Sequence, residues 1–158
     1  MTEILGIDAA QYPPLNILLA EDNEADFKIT MRALQSTVLK NRVLRVADGQ
    51  ECLDYLRQQG DYSDEAQYPR PDLVLLDINM PRVDGYGVLT VIKADPGLKM
   101  IPVVMLSASK SEEDVRRSYQ LGANSFIQKP VEYDHFVQVV AGLTYYWQVL
   151  NRLPGRKN

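Results

Sequence analysis

Four short apolar runs, each followed by a segment with helical spacing, constrain this chain more than any other feature. Ile17-Leu18-Leu19-Ala20, Leu73-Val74-Leu75-Leu76, Val103-Val104-Met105-Leu106 and Ser125-Phe126-Ile127 are apolar enough to read as strands buried on both faces. A fifth run, 42–47, is more mixed, and its arginines mark an edge strand with one side in water. Strand and helix alternate five times. Such alternation predicts a parallel sheet covered on both faces, because each crossover is right-handed and carries a helix.

The helices have local signals of their own. Asn23 is placed to cap a first helix with Phe27, Met31, Leu34 and Val38 on one face. A second, over 49–59, turns Cys52, Leu53 and Leu56 inward and ends at Gly60. A third starts near Gly85, buries Val88, Leu89 and Ile92, and stops at Asp95-Pro96-Gly97, where proline cannot continue the ladder. The fourth is capped by Ser111, with Asp114 three residues on, and ends at Gly122. The last carries Phe136, Val139, Val140, Leu143, Tyr146, Trp147 and Leu150, a longer and more aromatic stripe than a small core requires.

A length of 158 residues suits one domain with a sizeable core. The expected division is a leader over 1–14 closed by Pro13 and Pro14, a domain over 15–152, and a tail over 153–158. The stretch 61–70, rich in Asp, Glu, Tyr and Pro, is long for a connection and reads as a surface insertion. Seventeen basic against twenty-one acidic residues, a formal net charge of −4, provide no field to hold nucleic acid. No apolar run approaches the about 20 residues that span a bilayer, and no amino-terminal stretch reads as a secretion signal. The single cysteine, Cys52, excludes an internal disulfide and reads as helix packing. These features point to the cytoplasm. His135 is the only histidine, which excludes a multi-histidine metal site.

In open parallel sheets the ligand site lies beyond the carboxyl ends of the strands. Glu21-Asp22 follow the first strand, Asp77-Ile78-Asn79 the third, Ser107 the fourth and Lys129-Pro130 the fifth. Each has an ordinary reading alone: acids in the first turn of a helix, a strand-end hydroxyl, a solvated amine. Their joint arrival at one end of the sheet does not. Three crowded carboxylates repel one another unless a hard divalent cation neutralises them, and Mg²⁺, which takes one or two carboxylates and keeps waters for a phosphate, suits a shallow site. Asp77 is then a candidate nucleophile toward phosphorus, with the metal, Lys129 and Ser107 offsetting the developing charge.

The constellation resembles the receiver domain of two-component response regulators, through Glu21-Asp22, Asp77-x-x-Met80-Pro81-x-x-Asp84-Gly85, Ser107-Ala108 and Lys129-Pro130, over about Leu15 to Leu150. The resemblance implies a flavodoxin-like α/β fold: a doubly wound five-stranded parallel sheet in the order 2-1-3-4-5 with five helices. It implies Asp77 as phosphoacceptor, and Glu21, Asp22, Asp77 and the carbonyl of Asn79 as Mg²⁺ ligands. Ser107 would be the switch hydroxyl, Phe126 its aromatic partner, and Lys129 the phosphate-binding amine, with a cis Lys129–Pro130 bond. A sensor histidine kinase is the implied donor. The 61–70 insertion and the ending through Tyr145, Tyr146 and Trp147 are similar to small stand-alone regulators of phytochrome-type kinases. Phe126 stands where tyrosine is commoner, so the aromatic switch would work by packing alone. No output module follows before Asn158, so output is expected through another protein.

On this reading the chain is a signalling module and not an enzyme acting on a separate metabolite. The alternative is a phosphohydrolase of the haloacid-dehalogenase type, which also forms an aspartyl phosphate. It typically needs an acid two residues beyond the nucleophile, where this chain has Asn79. A flavodoxin-like flavin carrier is disfavoured because Glu21 and Asp22 would repel the flavin phosphate. The switch is expected to draw Ser107 inward, with Phe126 following. Val137, Ala141, Tyr145 and Val149, apolar but off the main stripe, suggest a homodimer contact through the fourth helix, fifth strand and fifth helix.

Overall fold

A computed structural model describes residues 8–155. Within them β1 (Leu15–Ala20), β2 (Asn41–Val46), β3 (Leu73–Leu76), β4 (Val103–Ser107) and β5 (Ser125–Gln128) form one sheet in the order β2-β1-β3-β4-β5, every pair parallel. The intervening helices are α1 (Glu24–Gln35), α2 (Gly49–Leu56), α3 (Gly85–Ala94), α4 (Glu112–Gln120) and α5 (Tyr133–Tyr145). This is the doubly wound five-stranded fold expected from the sequence. Among the described residues no helix is long and apolar enough to cross a membrane.

The period-two geometry of a strand sorts its side chains between two cores. Leu18, Ala20, Val74, Leu76, Val103 and Met105 face α2 and α3, where Cys52, Leu56, Leu89 and Ile92 meet them. Ile17, Leu19, Leu73, Leu75, Val104 and Leu106 face the other way, onto Leu34, Phe136, Val140 and Leu143 of α1 and α5. Helix α4 differs from the rest, since Ser118 is its sole buried residue.

Local chemistry sets the helix starts. Asn23, Asp48, Asp84 and Ser111 each adopt extended backbone and accept the N–H of the residue three positions on, which satisfies one of the donors a helix start leaves open. The ends depart from expectation. Helix α1 stops at Gln35, so Val38 lies beyond it and Leu39 turns into the core instead. Helix α2 ends at Leu56, with Gln58 at φ 54° taking the left-handed turn ahead of Gly60.

Two further expectations need correction. β5 is not buried on both faces: as the last strand in the order it has one neighbour, and its residues are half-buried or exposed. The apolar stripe of the last helix splits, because a π-type turn over Tyr146–Leu150 continues α5 and turns Trp147 and Gln148 inward while Tyr146 and Leu150 stay exposed. The 61–70 stretch lies at the surface as expected, with none of its residues buried, and its aromatics tie it down. Tyr62 and Tyr68 pack on Tyr55 of α2 at ring separations of 5.1 and 6.0 Å, and the Tyr62 hydroxyl donates to Glu51. Of the leader, residues 1–7 lie outside the described residues, and the carbonyl of Pro13 accepts a hydrogen bond from Gln148 Nε2 at 2.9 Å.

Candidate functional site

The order of the sheet puts β1 between β2 and β3, so the segments leaving β1 and β3 at their carboxyl ends emerge side by side. Ala20 ends β1, and its carbonyl accepts the N–H of Asp77 at 3.1 Å, which sets the two acidic segments in register. One carboxylate oxygen from each of Glu21, Asp22 and Asp77 lies within 4.8 Å of the others. Glu21 is buried, Asp77 half-buried and Asp22 exposed, so the group opens toward solvent on one side. Asn79 follows on the same loop as Asp77 and is exposed. Asp77 Oδ1 accepts the N–H of Ile78 at 2.8 Å, which restricts rotation of the carboxylate.

Lys129 reaches the cluster from the end of β5. Its Nζ donates to Glu21 Oε1 at 3.0 Å and to Asp26 Oδ2 at 3.4 Å, and its own N–H donates to the carbonyl of Ser107 at 2.8 Å. Burial alone would lower the pKa of this ammonium, but the charges of Glu21, Asp77 and Asp26 reverse the balance and hold it above the usual lysine range. The Glu21 carboxyl is shifted well above the ordinary carboxylate range, chiefly by burial and then by contact with the Asp77 carboxyl, against the pull of Lys129. Its second oxygen, Oε2, is buried and meets no hydrogen-bond donor among the described residues. Two carboxylates sharing a contact need a proton or a cation between them. Three oxygen donors with one orphaned, converging beside an ammonium, therefore fit a hard divalent ion and the oxygens of a phosphoryl group.

Ser107, buried at the end of β4, accepts the N–H of Ser109 on its Oγ at 3.1 Å. The Lys129–Pro130 bond is trans, contrary to the sequence expectation, as are all peptide bonds among the described residues. Trans is the intrinsically favoured isomer of an X–Pro bond, by about 0.5–1 kcal/mol. Phe126 is half-buried against the core that holds α3, and its N–H donates to the Tyr119 hydroxyl at 3.3 Å.

Sequence reasoning brought Glu21, Asp22, Asp77 and Lys129 together and missed several neighbours. Asp26, four residues beyond Asp22 and so one helical turn further on, competes for Lys129. Asp114 of α4 accepts the hydroxyls of Ser109 at 2.5 Å and Tyr86 at 2.6 Å, tying the loop after Ser107 to α3. These two bonds hold the Asp114 carboxyl below its ordinary pKa. Arg45 of β2, read as an edge arginine, donates from Nε to the carbonyl of Glu21 at 3.1 Å and from a terminal nitrogen to that of Asp22 at 3.4 Å. Only strand order, which sets Arg45 opposite Leu19, could have revealed the last of these.

Acids, a hydroxyl and an amine gathered beyond the carboxyl ends of a 2-1-3-4-5 sheet define a class: a phosphoryl-accepting switch domain with an acidic cation pocket. The chain belongs to the response regulator receiver domain family, whose sequence profile matches residues 17–141. It is 38% identical to the response regulator Rcp1 of Synechocystis sp. over 142 residues, covering 90% of this chain and 95% of that protein. A structure of the phosphorylated cyanobacterial phytochrome response regulator RcpA superimposes with a TM-score of 0.83 at 42% identity, over 90% of this chain and 100% of that one. The Mn²⁺-bound form of Rcp1 superimposes with a TM-score of 0.81 at 37% identity, again over 90% and 100%. A receiver domain is a signalling module that binds a divalent cation and accepts a phosphoryl group from a histidine kinase. The haloacid-dehalogenase reading finds no support in these likenesses.

Proposed function

We propose that Asp77 is the phosphoacceptor, that Glu21, Asp22, Asp77 and the carbonyl of Asn79 hold Mg²⁺, and that Lys129 and Ser107 engage the bound phosphoryl group. The observation that carries this reading is the approach of three carboxylate oxygens to within 4.8 Å beside the Lys129 ammonium. A carboxylate oxygen of Asp77 forms the new O–P bond as the donor's bond to phosphorus breaks. Bound Mg²⁺ supplies charge neutralisation for the carboxylates and for the phosphoryl oxygens. Lys129 is already aimed into the cleft, and to reach a phosphoryl oxygen it relinquishes Asp26, its longer and more exposed contact. The Ser107 hydroxyl has one held partner, the N–H of Ser109. Turning toward the phosphoryl group loosens that bond, and the loop into α4 moves with Phe126 repacking behind it.

The donor we favour is a kinase of phytochrome type, and the compartment the cytoplasm. Support for the first comes from the phytochrome response regulator RcpA, 42% identical. The output is a downstream protein, reached through α4, β5 and α5, where α4 buries so little that a small change in the loop can reposition it. The same face serves as a homodimer contact, with Val137, Ala141, Tyr145 and Val149 half-buried along α5 and the turn beyond it.

Asp77→Asn is the direct test. Incubated with acetyl phosphate and Mg²⁺, the wild-type chain takes up label and the variant does not; undiminished labelling of the variant moves the acceptor elsewhere. Sedimentation at several concentrations, with and without a phosphate mimic, tests the dimer, and a strict monomer in both states removes it.

A further inference from the structure

The loop that carries Glu21 and Asp22 is held from outside the acidic cleft by one side chain. Arg45 lies on β2, the strand hydrogen-bonded to β1, in register with Leu19. Its guanidinium is engaged on every side. Nε donates to the carbonyl of Glu21 at 3.1 Å, one terminal nitrogen to the carbonyl of Asp22 at 3.4 Å, and the other to the Glu24 carboxylate at 2.7 Å. Its flat face stacks on the Phe27 ring, with the central carbon 4.2 Å from the ring centroid. A planar, always charged fork can make all these contacts at once, and an ammonium cannot.

These contacts matter because of how the two acids are otherwise held. The N–H of Glu21 donates to the carbonyl of Val46, so one side of its backbone is fixed by the sheet. Asp22 is exposed, and among the described residues no hydrogen bond constrains its carboxylate. Its aim depends on the direction of its backbone, and Arg45 holds the carbonyls on both sides of the Asp22 N–Cα–C unit.

We propose that Arg45 is a positioning residue for the divalent cation: it braces the β1–α1 loop so that Glu21 and Asp22 present their oxygens to the ion alongside Asp77. This rests on the assignment of the three carboxylates as cation ligands. Arg45 touches neither the ion nor the phosphoryl group, and it acts through the two carbonyls. Its charge works against its geometry, because a guanidinium near the cleft repels a divalent cation. Removing it relieves that repulsion and should tighten binding, whereas removing the brace should weaken it. The sign of the change therefore separates the two roles.

The experiment measures Mn²⁺ affinity of the full chain, metal-free at the start, from the electron paramagnetic resonance of the free ion. Wild type is compared with Arg45→Ala, Arg45→Lys and Asp22→Asn at a temperature where circular dichroism shows each fully folded. Arg45→Ala is expected to bind Mn²⁺ about tenfold more weakly, the lower end of what loss of an outer partner does to a metal site. Arg45→Lys, which keeps the repelling charge and loses the fork, should weaken binding by at least as large a factor. A purely structural arginine would lower the melting temperature and leave the affinity of the folded protein unchanged. If Arg45→Ala binds as tightly as wild type or more so while Asp22→Asn binds poorly, the brace is wrong and the carboxylate site stands. If Asp22→Asn also binds like wild type, the assignment of the carboxylates fails and the brace falls with it.

Discussion

Gly85 opens α3, and replacing it by alanine should damage the phosphoacceptor segment from behind. A Cβ there would lie 2.2 Å from the carbonyl oxygen of Asp77, 2.8 Å from Cα of Ile78 and 3.0 Å from the carbonyl carbon of Asp77. All three are backbone atoms, so no side-chain rotation relieves the clash. The Gly85 N–H also donates to the Ile78 carbonyl at 2.7 Å, which pins the two segments together where the clash occurs. Ordinary contact begins near 3.4 Å, so the Asp77 segment or the helix start must move by roughly 1 Å to restore it. Overpacking of this kind costs about 1–3 kcal/mol, and a backbone clash belongs at the upper end. The helix propensity gained on leaving glycine returns about 1 kcal/mol at most, so the net expectation is about 2 kcal/mol lost. Because a misplacement of about 1 Å at a reacting group can cost up to about 10²-fold in rate, labelling by acetyl phosphate should slow by one to two orders of magnitude. Urea denaturation and a labelling time course measure the two effects on the same preparation. Gly142→Ala is the control: it lies in α5 with nothing among the described residues beyond its own helix turn within 4 Å of the added Cβ, and should gain about 0.5–1 kcal/mol. A Gly85→Ala variant as stable as wild type and labelled at its rate would refute the argument.

Tyr62→Phe removes the hydroxyl that Glu51 accepts and should destabilise the fold by about 1 kcal/mol, since a hydrogen bond to a charged group is worth somewhat more than a neutral one but this site is part-exposed; an unchanged urea midpoint would mean the 61–70 stretch is not clamped. Trp147→Ala empties a position in the core shared by α1 and α5 and should cost about 3–5 kcal/mol by thermal or urea unfolding. The Glu21 carboxyl has a folded pKa above its unfolded one. Its contribution to stability is therefore present in full below the ordinary carboxylate range and declines as pH rises from there through the raised value. Metal-free protein is expected to lose stability across that interval, and saturating Mg²⁺ should flatten the loss; a Glu21→Gln variant with the same pH slope as wild type would remove Glu21 as the cause.

Much of the fold could be read from local chemistry. The apolar runs that became β1, β3 and β4 are buried because parallel strands covered on both faces have no wet side, and an uninterrupted run satisfies no other placement as well. Asn23 and Ser111 cap where they were expected to, since a capping bond joins residues three apart and needs nothing distant. Helix ends were less legible. The chain leaves α1 at Gln35 where Leu39 turns into the core, and α2 at Leu56 where Tyr62 and Tyr68 fold back onto Tyr55, packing that no local pattern encodes.

The residue types and their order thus determined which groups could reach one end of the sheet: Glu21, Asp22, Asp77 and Lys129 each follow a strand and Ser107 ends one, and a parallel sheet sends every strand's carboxyl end the same way. Only the tertiary structure decided what surrounds them. Strand order made β5 an edge, set Arg45 of β2 against the carbonyls of Glu21 and Asp22, and let Asp26 share Lys129. Packing likewise drew Tyr62 and Tyr68 onto Tyr55. Contacts of this kind join residues distant in the chain through directions and separations that exist once the strands have paired, so linear spacing carries no trace of them.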